Sequence, residues 1–339
     1  MLMFKRVFGF LIAIGFLYGA AWLGAAYWLR SELQASLSNL AQRGYAFAHG
    51  EMQLVGFPGS VGISISGLSI VAPAAEGGWR WEADRPRVSL HLRAPREPVI
   101  DLAGTHRVRG LVSGEDEGFT LTVRRGTARL AFAQGEALEN IALDLNETMI
   151  AGGNGAEAVL GINEGSIQLS LATGHMTLSA RDITPAQPVP VLNPSIAALD
   201  FTLDFTGPLP SDPLLESLEA WRAAGGAVEL RDLALAWPPL RAAGSGTFAL
   251  DPALQPMGAA TMTFQGFFAL IEALVQEGHV HEREAEMAKA VLGMMAKPSA
   301  SGEPELSLPL TVQDRRLSAG PIVLMEVPVV SWDEAARVP

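Results

Sequence analysis

Apolar and polar residues alternate with period two in segment after segment of this chain, the mark of strands with one buried face. Val61, Ile63 and Ile65 alternate with Gly62, Ser64 and Ser66, and Val88, Leu90 and Leu92 with Ser89, His91 and Arg93. The same rhythm runs through Phe119-Leu121-Val123, Ile141-Leu143-Leu145, Ile167-Leu169-Leu171, Phe201-Leu203-Phe205 and Leu306-Leu308-Leu310-Val312. Glycine clusters at Gly77-Gly78, Gly114, Gly152–Gly155 and Gly225-Gly226 supply the turns. Strands this frequent, with few helices between them, predict an antiparallel meander rather than a doubly wound parallel sheet. Two changes of parity, at Gly67 and between Leu230 and Leu233, predict β-bulges.

The first thirty residues follow another rule. Val7 to Trp28 is a run of 22 uncharged, mostly apolar residues, preceded by Lys5-Arg6 and followed by Arg30. As a helix it is about 33 Å long, enough for a bilayer core of about 30 Å. The basic pair predicts a cytoplasmic N-terminus and a translocated bulk. A cleavable signal peptide, cut after Ala26, competes with an anchor; a signal's apolar core is usually about 7–15 residues, shorter than this run. Leu33, Leu37 and Leu40 continue one helical stripe beyond the run and predict a short amphipathic stalk.

Helical spacing returns in three places, near 212–224, 266–278 and 282–297. Ser211-Asp212-Pro213 opens the first as N-cap and first turn, and Pro298 breaks the last. The last two predict a helical hairpin covering an open end or face of the sheet. The division expected is a membrane anchor over 1–30, a stalk over 31–48, a β-rich half over 49–184, a Pro-rich hinge over 185–194 and a second β-rich half with helices over 195–339. The fold class is mainly β, a large curved antiparallel domain behind a transmembrane helix, turning α+β at the C-terminal end.

Composition narrows the functions. With no cysteine, a translocated domain is held by its core and lacks thiol nucleophiles and Cys metal sites. Beyond residue 30, 21 Lys and Arg face 36 Asp and Glu, a net charge of −15. That sign excludes nucleic acid as a partner and a basic patch for anionic lipid.

Motifs for chemistry are sparse. His279-Val280-His281 with Glu282 and Glu284 lacks the HExxH geometry and a third-ligand motif, and reads as a solvated interhelical turn. Gly244-Ser245-Gly246 is not a nucleophile elbow and is expected to be a tight turn. Gly152-Gly153-Asn154-Gly155 reads as a hairpin turn, Glu115-Asp116-Glu117 as an acidic loop tip, and Asn146-Glu147-Thr148 as a formal sequon within a strand. No metal site, cofactor or catalytic residue is expected, and the chain is read as not an enzyme.

Leu54-Val55-Gly56-Phe57-Pro58, Trp237-Pro238-Pro239-Leu240, Gly244–Asp251, and the closing Leu308-Pro309-Leu310 with Gly320–Leu324 resemble the proteobacterial family catalogued as domain of unknown function 2125. A more distant likeness is to AsmA-like envelope proteins, with an anchor and a long β-rich exported chain. The first resemblance carries no catalytic residues; the second implies envelope upkeep or lipid traffic. The expected function is therefore a single-pass inner-membrane protein, its bulk periplasmic, binding a lipid or an envelope protein without catalysis. Val61, Ile63, Ile65, Phe201, Leu203 and Phe205 are candidates to line an apolar groove, with ordinary sheet core as the competing reading. Gly56, Phe57 and Pro58 are expected to form a structural corner. A scaffold or adaptor of a membrane complex is the alternative, and a hydrolase the third.

Overall fold

The computed structural model describes residues 2–73, 78–91, 94–110, 118–134, 137–152, 157–207, 214–299, 301–330 and 332, with the side chains of 2–16, 95, 157–158 and 214–215 outside the description. One helix, α1 (Leu2–Gln42), opens the chain. Eight shorter strands follow: β1 (Ala46–Ala48), β2 (Met52–Val55), β3 (Ser60–Ile65), β4 (Leu68–Val71), β5 (Arg80–Ala83), β6 (Arg87–His91), β7 (Ala94–Asp101) and β8 (Gly104–Arg109). Then come long strands, β9 (Gly118–Phe132), β10 (Leu138–Gly152), β11 (Glu157–Ser170), β12 (His175–Pro185) and β13 (Ile196–Thr206). Helix α2 (Leu214–Ala223) leads to β14 (Ala227–Trp237), β15 (Leu240–Leu250) and β16 (Pro256–Gln265). The hairpin α3 (Phe267–Gln276) and α4 (Glu282–Met295) precedes β17 (Lys297–Pro298), β18 (Pro304–Gln313), β19 (Arg316–Ala319) and β20 (Ile322–Glu326).

All pairings are antiparallel, as the alternation predicts. β9 to β16 pair in chain order, and β18, β19 and β20 extend the sheet from β16. At its other edge the sheet forks. The first half of β9 pairs with β8, which leads to β5, β4 and β1; the second half pairs with β7, which leads to β6, β3 and β2. The connection between β12 and β13 joins two strands that pair with each other. It is tied down at Asn193, whose carbonyl accepts from Trp237 Nε1 at 2.7 Å.

The tightest packing lies where the fork meets α1. Trp22, Ala26 and Leu29, one helical stripe at intervals of four and three, pack on Val61, Ile63 and Ile65 of β3 and Leu68 of β4. Val61 and Ile63 are 2% and 1% exposed and Ala26 is fully buried. The last part of the region expected to cross a membrane, from Trp22 onward, thus packs on the β domain. Among the described residues, no helix is long and apolar enough to cross a membrane. The side chains of Val7 to Phe16, in the expected span, lie outside the described residues.

Two parity changes have different causes. Between Leu230 and Leu233 the register shifts against β15, placing a bulge at Arg231-Asp232. At Gly67 there is no bulge: β3 and β4 do not pair, and the chain steps there from one branch of the fork to the other. Gly67 makes that corner at φ +57°. Gly244-Ser245-Gly246 is not a turn either but the middle of β15, where the glycines admit a close neighbour: a Cβ on Gly244 would lie 2.3 Å from Met262 Sδ. The helix expected near 212–224 is described from Leu214, its expected cap residues 211–213 lying outside the described residues, as do 153–155 of the turn expected over 152–155 and the expected acidic tip 115–117.

Candidate functional site

Directly opposed residues in an antiparallel sheet share a face, so the register fixes what each face of the long sheet carries. Starting at β9, one row reads Leu130, Ile141, Leu169, Met176, Leu203, Leu230, Gly246, Ala260, Leu310, Ala319 and Ile322. Its neighbour on the same face contains Leu143, Ile167, Leu178, Phe201, Leu233, Gly244, Met262 and Leu308. No residue in either row is charged. The next row, beyond Leu143 and Phe201, points the other way and reads Thr127, Asp144, Ser166, Ser179, Asp200, Ala234, Ala243, Thr263 and Ser307. The first row crosses eleven strands, about 48 Å at a strand spacing of about 4.8 Å.

This apolar face is not sealed. Leu143, Ile167, Leu178, Phe201, Leu203 and Leu230 are all half-buried. Helix α1 packs on β1 and β3, α3 on α4, and α4 on β18 at one end of these rows, where Met262 and Leu306 are buried. Trp221 holds α2 beside the β13–β14 connection, its Nε1 donating to the Thr206 carbonyl at 2.8 Å.

Towards β9–β12 the sheet folds over this face. Glu147 and Asp182 take φ values of +48° and +49°, each between residues that pair regularly. Beyond that line Val123, Thr148, Ile162, Ile183 and Ile196 form a row, with Val123, Thr148 and Ile183 buried. Gly126 and Gly165 make the fold sterically possible. A Cβ on Gly126 would stand 2.7 Å from Val123 Cγ1 and 3.1 Å from Leu145 Cδ2; one on Gly165 would stand 3.4 Å from Ile162 Cγ2. The Thr148 hydroxyl is buried there without a hydrogen-bond partner. An apolar trough creased along one side is the result.

The six expected lining residues fall into two unrelated places. Phe201, Leu203 and Phe205 lie on the apolar face, opposite Leu178, Met176 and Val228 among others. Val61, Ile63 and Ile65 do not; they are closed core under α1, because a helix covers their strand. Gly56, Phe57 and Pro58 form the expected corner, and it docks on α1: the Phe57 ring meets Trp22 edge-on at 5.4 Å between centroids.

The polar face carries charge in pairs. Arg129 meets Asp144 at 2.5 Å, and Asp200 accepts from Arg181 at 2.8 Å and Ser179 at 2.6 Å. Burial alone raises the Asp200 pKa, but these hydrogen bonds outweigh it and leave the carboxyl below its ordinary value. Asp204 joins His175, at 2.7 Å, to Arg231, and those hydrogen bonds lower its pKa, the His175 bond most. A depression of about 580 Å³ beside this cluster is lined by Glu229, Arg231, Thr247, Thr261 and Thr311 among others. It is a shallow polar hollow over the β14 bulge. Sequence reading missed this network and the crease; the shift from Leu145 to Thr148 and Ile150 across Glu147 was the available signal for the latter.

His279 and His281 flank the α3–α4 turn, with His279 Nε2 3.5 Å from Glu277. Among the described residues no three His, Asp or Glu side chains are grouped to hold a metal ion.

Comparison with known proteins gives a family and no more. No curated protein and no solved structure matches the chain, and nothing bears on the likeness to AsmA-like proteins. Residues 22–328 match the model of a family described as an uncharacterized protein conserved in bacteria (DUF2125). That match takes in α1 from Trp22, the forked strands and the whole trough through β20, and the chain belongs to this family.

Proposed function

We propose that this chain is a membrane-anchored, non-catalytic binding protein that shelters acyl chains on the open apolar face of its long sheet, in lipid handling at the cell envelope. One observation carries the reading: uncharged apolar rows cross the sheet, and from β10 to β14 their residues are only half-buried among the described residues. Apolar surface of that extent left to water is unfavourable at about 25 cal/mol per Å² and marks a binding surface in a folded protein. The uncharged run behind Lys5-Arg6 supports an inner-membrane anchor with the bulk of the chain periplasmic.

Adjacent strand positions supply the test. Benzoylphenylalanine placed at Leu203 faces the trough, and at Thr202 the polar side. Irradiation of the full chain in cells is expected to give lipid adducts at Leu203 and none at Thr202. Adding Phe201→Asp and Phe205→Asp should remove the adduct. Equal labelling at both positions, or none at Leu203, sinks the proposal.

A scaffold role is favoured by a separate feature. Met287, Val291, Met294 and Met295 form an exposed stripe on α4, and β20 is an exposed outer strand. Protein adducts at Met294 in the same cells would favour that reading.

A further inference from the structure

The Gly56–Ser60 turn holds an aromatic ring out of the fold by a rigid local device. Gly56 adopts φ +101°, and a Cβ there would stand 2.7 Å from Ser60 Oγ and 2.8 Å from its carbonyl oxygen. The Ser60 amide closes the turn on the Gly56 carbonyl at 2.9 Å. Two donors from α1 fasten it: Tyr18 Oη to the Pro58 carbonyl, and Trp22 Nε1 to the Ser60 carbonyl at 2.7 Å. Phe57, between those two aromatic residues, is nevertheless 60% exposed. A core needs no such ring. A water-facing turn would hold a polar residue there at no cost.

Its surroundings identify the occupant. On α1, Leu17, Leu23, Tyr27 and Trp28 are exposed while Trp22, Ala26 and Leu29 are buried against β3. The chain has no charged residue from Val7 to Leu29, nor from Met52 to Ala75, so both sides of the patch are uncharged. The patch continues into the apolar run Val7–Phe16 of the same helix. Length then sets the depth. Val7 to Trp22 is about 24 Å of helix, a few ångströms short of a bilayer core of about 30 Å. Tyr and Trp prefer the interface, and a short mismatch costs little.

We infer that the Gly56–Ser60 turn is a second membrane seat: Phe57 enters the lipid interface beside Tyr18, Tyr27 and Trp28, and fixes the β domain against the bilayer. The inference rests on the anchor reading. It makes α1 and the turn one rigid footing, where an anchor on a flexible stalk would leave the domain free to tilt.

The chain contains no cysteine, so one substitution gives one label. Leu11→Cys, Phe57→Cys and Gln313→Cys, each carrying the fluorophore NBD, are reconstituted as full chains in phosphatidylcholine–phosphatidylglycerol vesicles. Doxyl-labelled lipid is expected to quench Leu11→Cys and Phe57→Cys several-fold more than Gln313→Cys, with iodide showing the reverse. Lipid quenching at Leu11 with Phe57 matching Gln313 overturns the seat and leaves the anchor standing. Lipid quenching at neither removes both. Phe57 shielded from iodide yet untouched by the lipid quencher, with energy transfer between labelled copies, assigns the patch to a second copy and overturns the seat.

Discussion

Ile63 and Leu203 are branched aliphatic side chains on neighbouring kinds of strand, and their surroundings give opposite consequences to shortening them. Ile63 is closed in by Trp22, Ala26 and Leu29, so Ile63→Ala leaves a cavity and is expected to cost about 3 kcal/mol in denaturant unfolding. Leu203 is half-buried on an uncovered face, where Leu203→Ala removes little packing and is expected to cost about 1 kcal/mol or less. Equal costs would mean that the trough is sealed. At the crease the constraint is steric: Gly126→Val forces Val123 or Leu145 to move and is expected to destabilise by about 1–3 kcal/mol. On the other face, Asp204 accepts from His175 and Arg231. Its carboxyl lies below the ordinary value of 3.8, so its contribution is present above that pH and is lost as pH falls through the lower, folded-state value. Acid unfolding of the Asp204→Asn variant should accordingly show a smaller loss of stability below pH 3.8 than the parent chain; identical curves would show the cluster to be ornamental.

For the elements, alternation along the chain was a reliable guide to strands and a poor one to what lies over them. Val61-Gly62-Ile63-Ser64-Ile65 and Phe201-Thr202-Leu203-Asp204-Phe205 have the same period, yet the first is closed in by α1 and the second is left half-buried. The pattern encodes that one face avoids water; a covering partner 38 positions away, as Trp22 is from Ser60, leaves no local trace. Glycine was ambiguous for a related reason. At Gly67 it makes a corner between branches, while at Gly244 it lets two strands approach in mid-sheet, and both look like turn signals in one dimension. Helix α1 was legible as a helix and not as core, because Trp22, Ala26 and Leu29 sit within an apolar run that hides their stripe. Its packing bears on processing. Cleavage after Ala26 would detach Trp22 and Ala26 from β3 and break the hydrogen bond to Ser60. Intact mass of the chain isolated from membranes is expected to retain these residues, and a mature N-terminus at Tyr27 would contradict it.

Seen as a whole molecule, a sheet creased at one side, with apolar rows half-buried from β10 to β14, buries less surface per residue than a sandwich, where a second layer closes the same face. That difference has a thermodynamic reading. Unfolding a 339-residue chain of ordinary packing carries a heat-capacity change of about 4–5 kcal/mol/K, from about 12–15 cal/mol/K per residue. Apolar area dominates that quantity, so rows already half-exposed in the folded state contribute less to it. Calorimetry of the delipidated chain is therefore expected to fall below this range. Adding acyl chains should bring the two closer, because bound lipid removes the same rows from water, and should raise the midpoint with lipid concentration as mass action requires. The polar face makes the control. Thr202→Asp and Thr263→Asp add charge where Asp144 and Asp200 already sit, and should leave the lipid-dependent rise unchanged, whereas Phe201→Asp and Leu230→Asp should abolish it. If instead the delipidated chain gives the full heat-capacity change and lipid moves nothing, the trough is closed in solution, and the stripe on α4 with the β20 strand becomes the surface through which this protein acts.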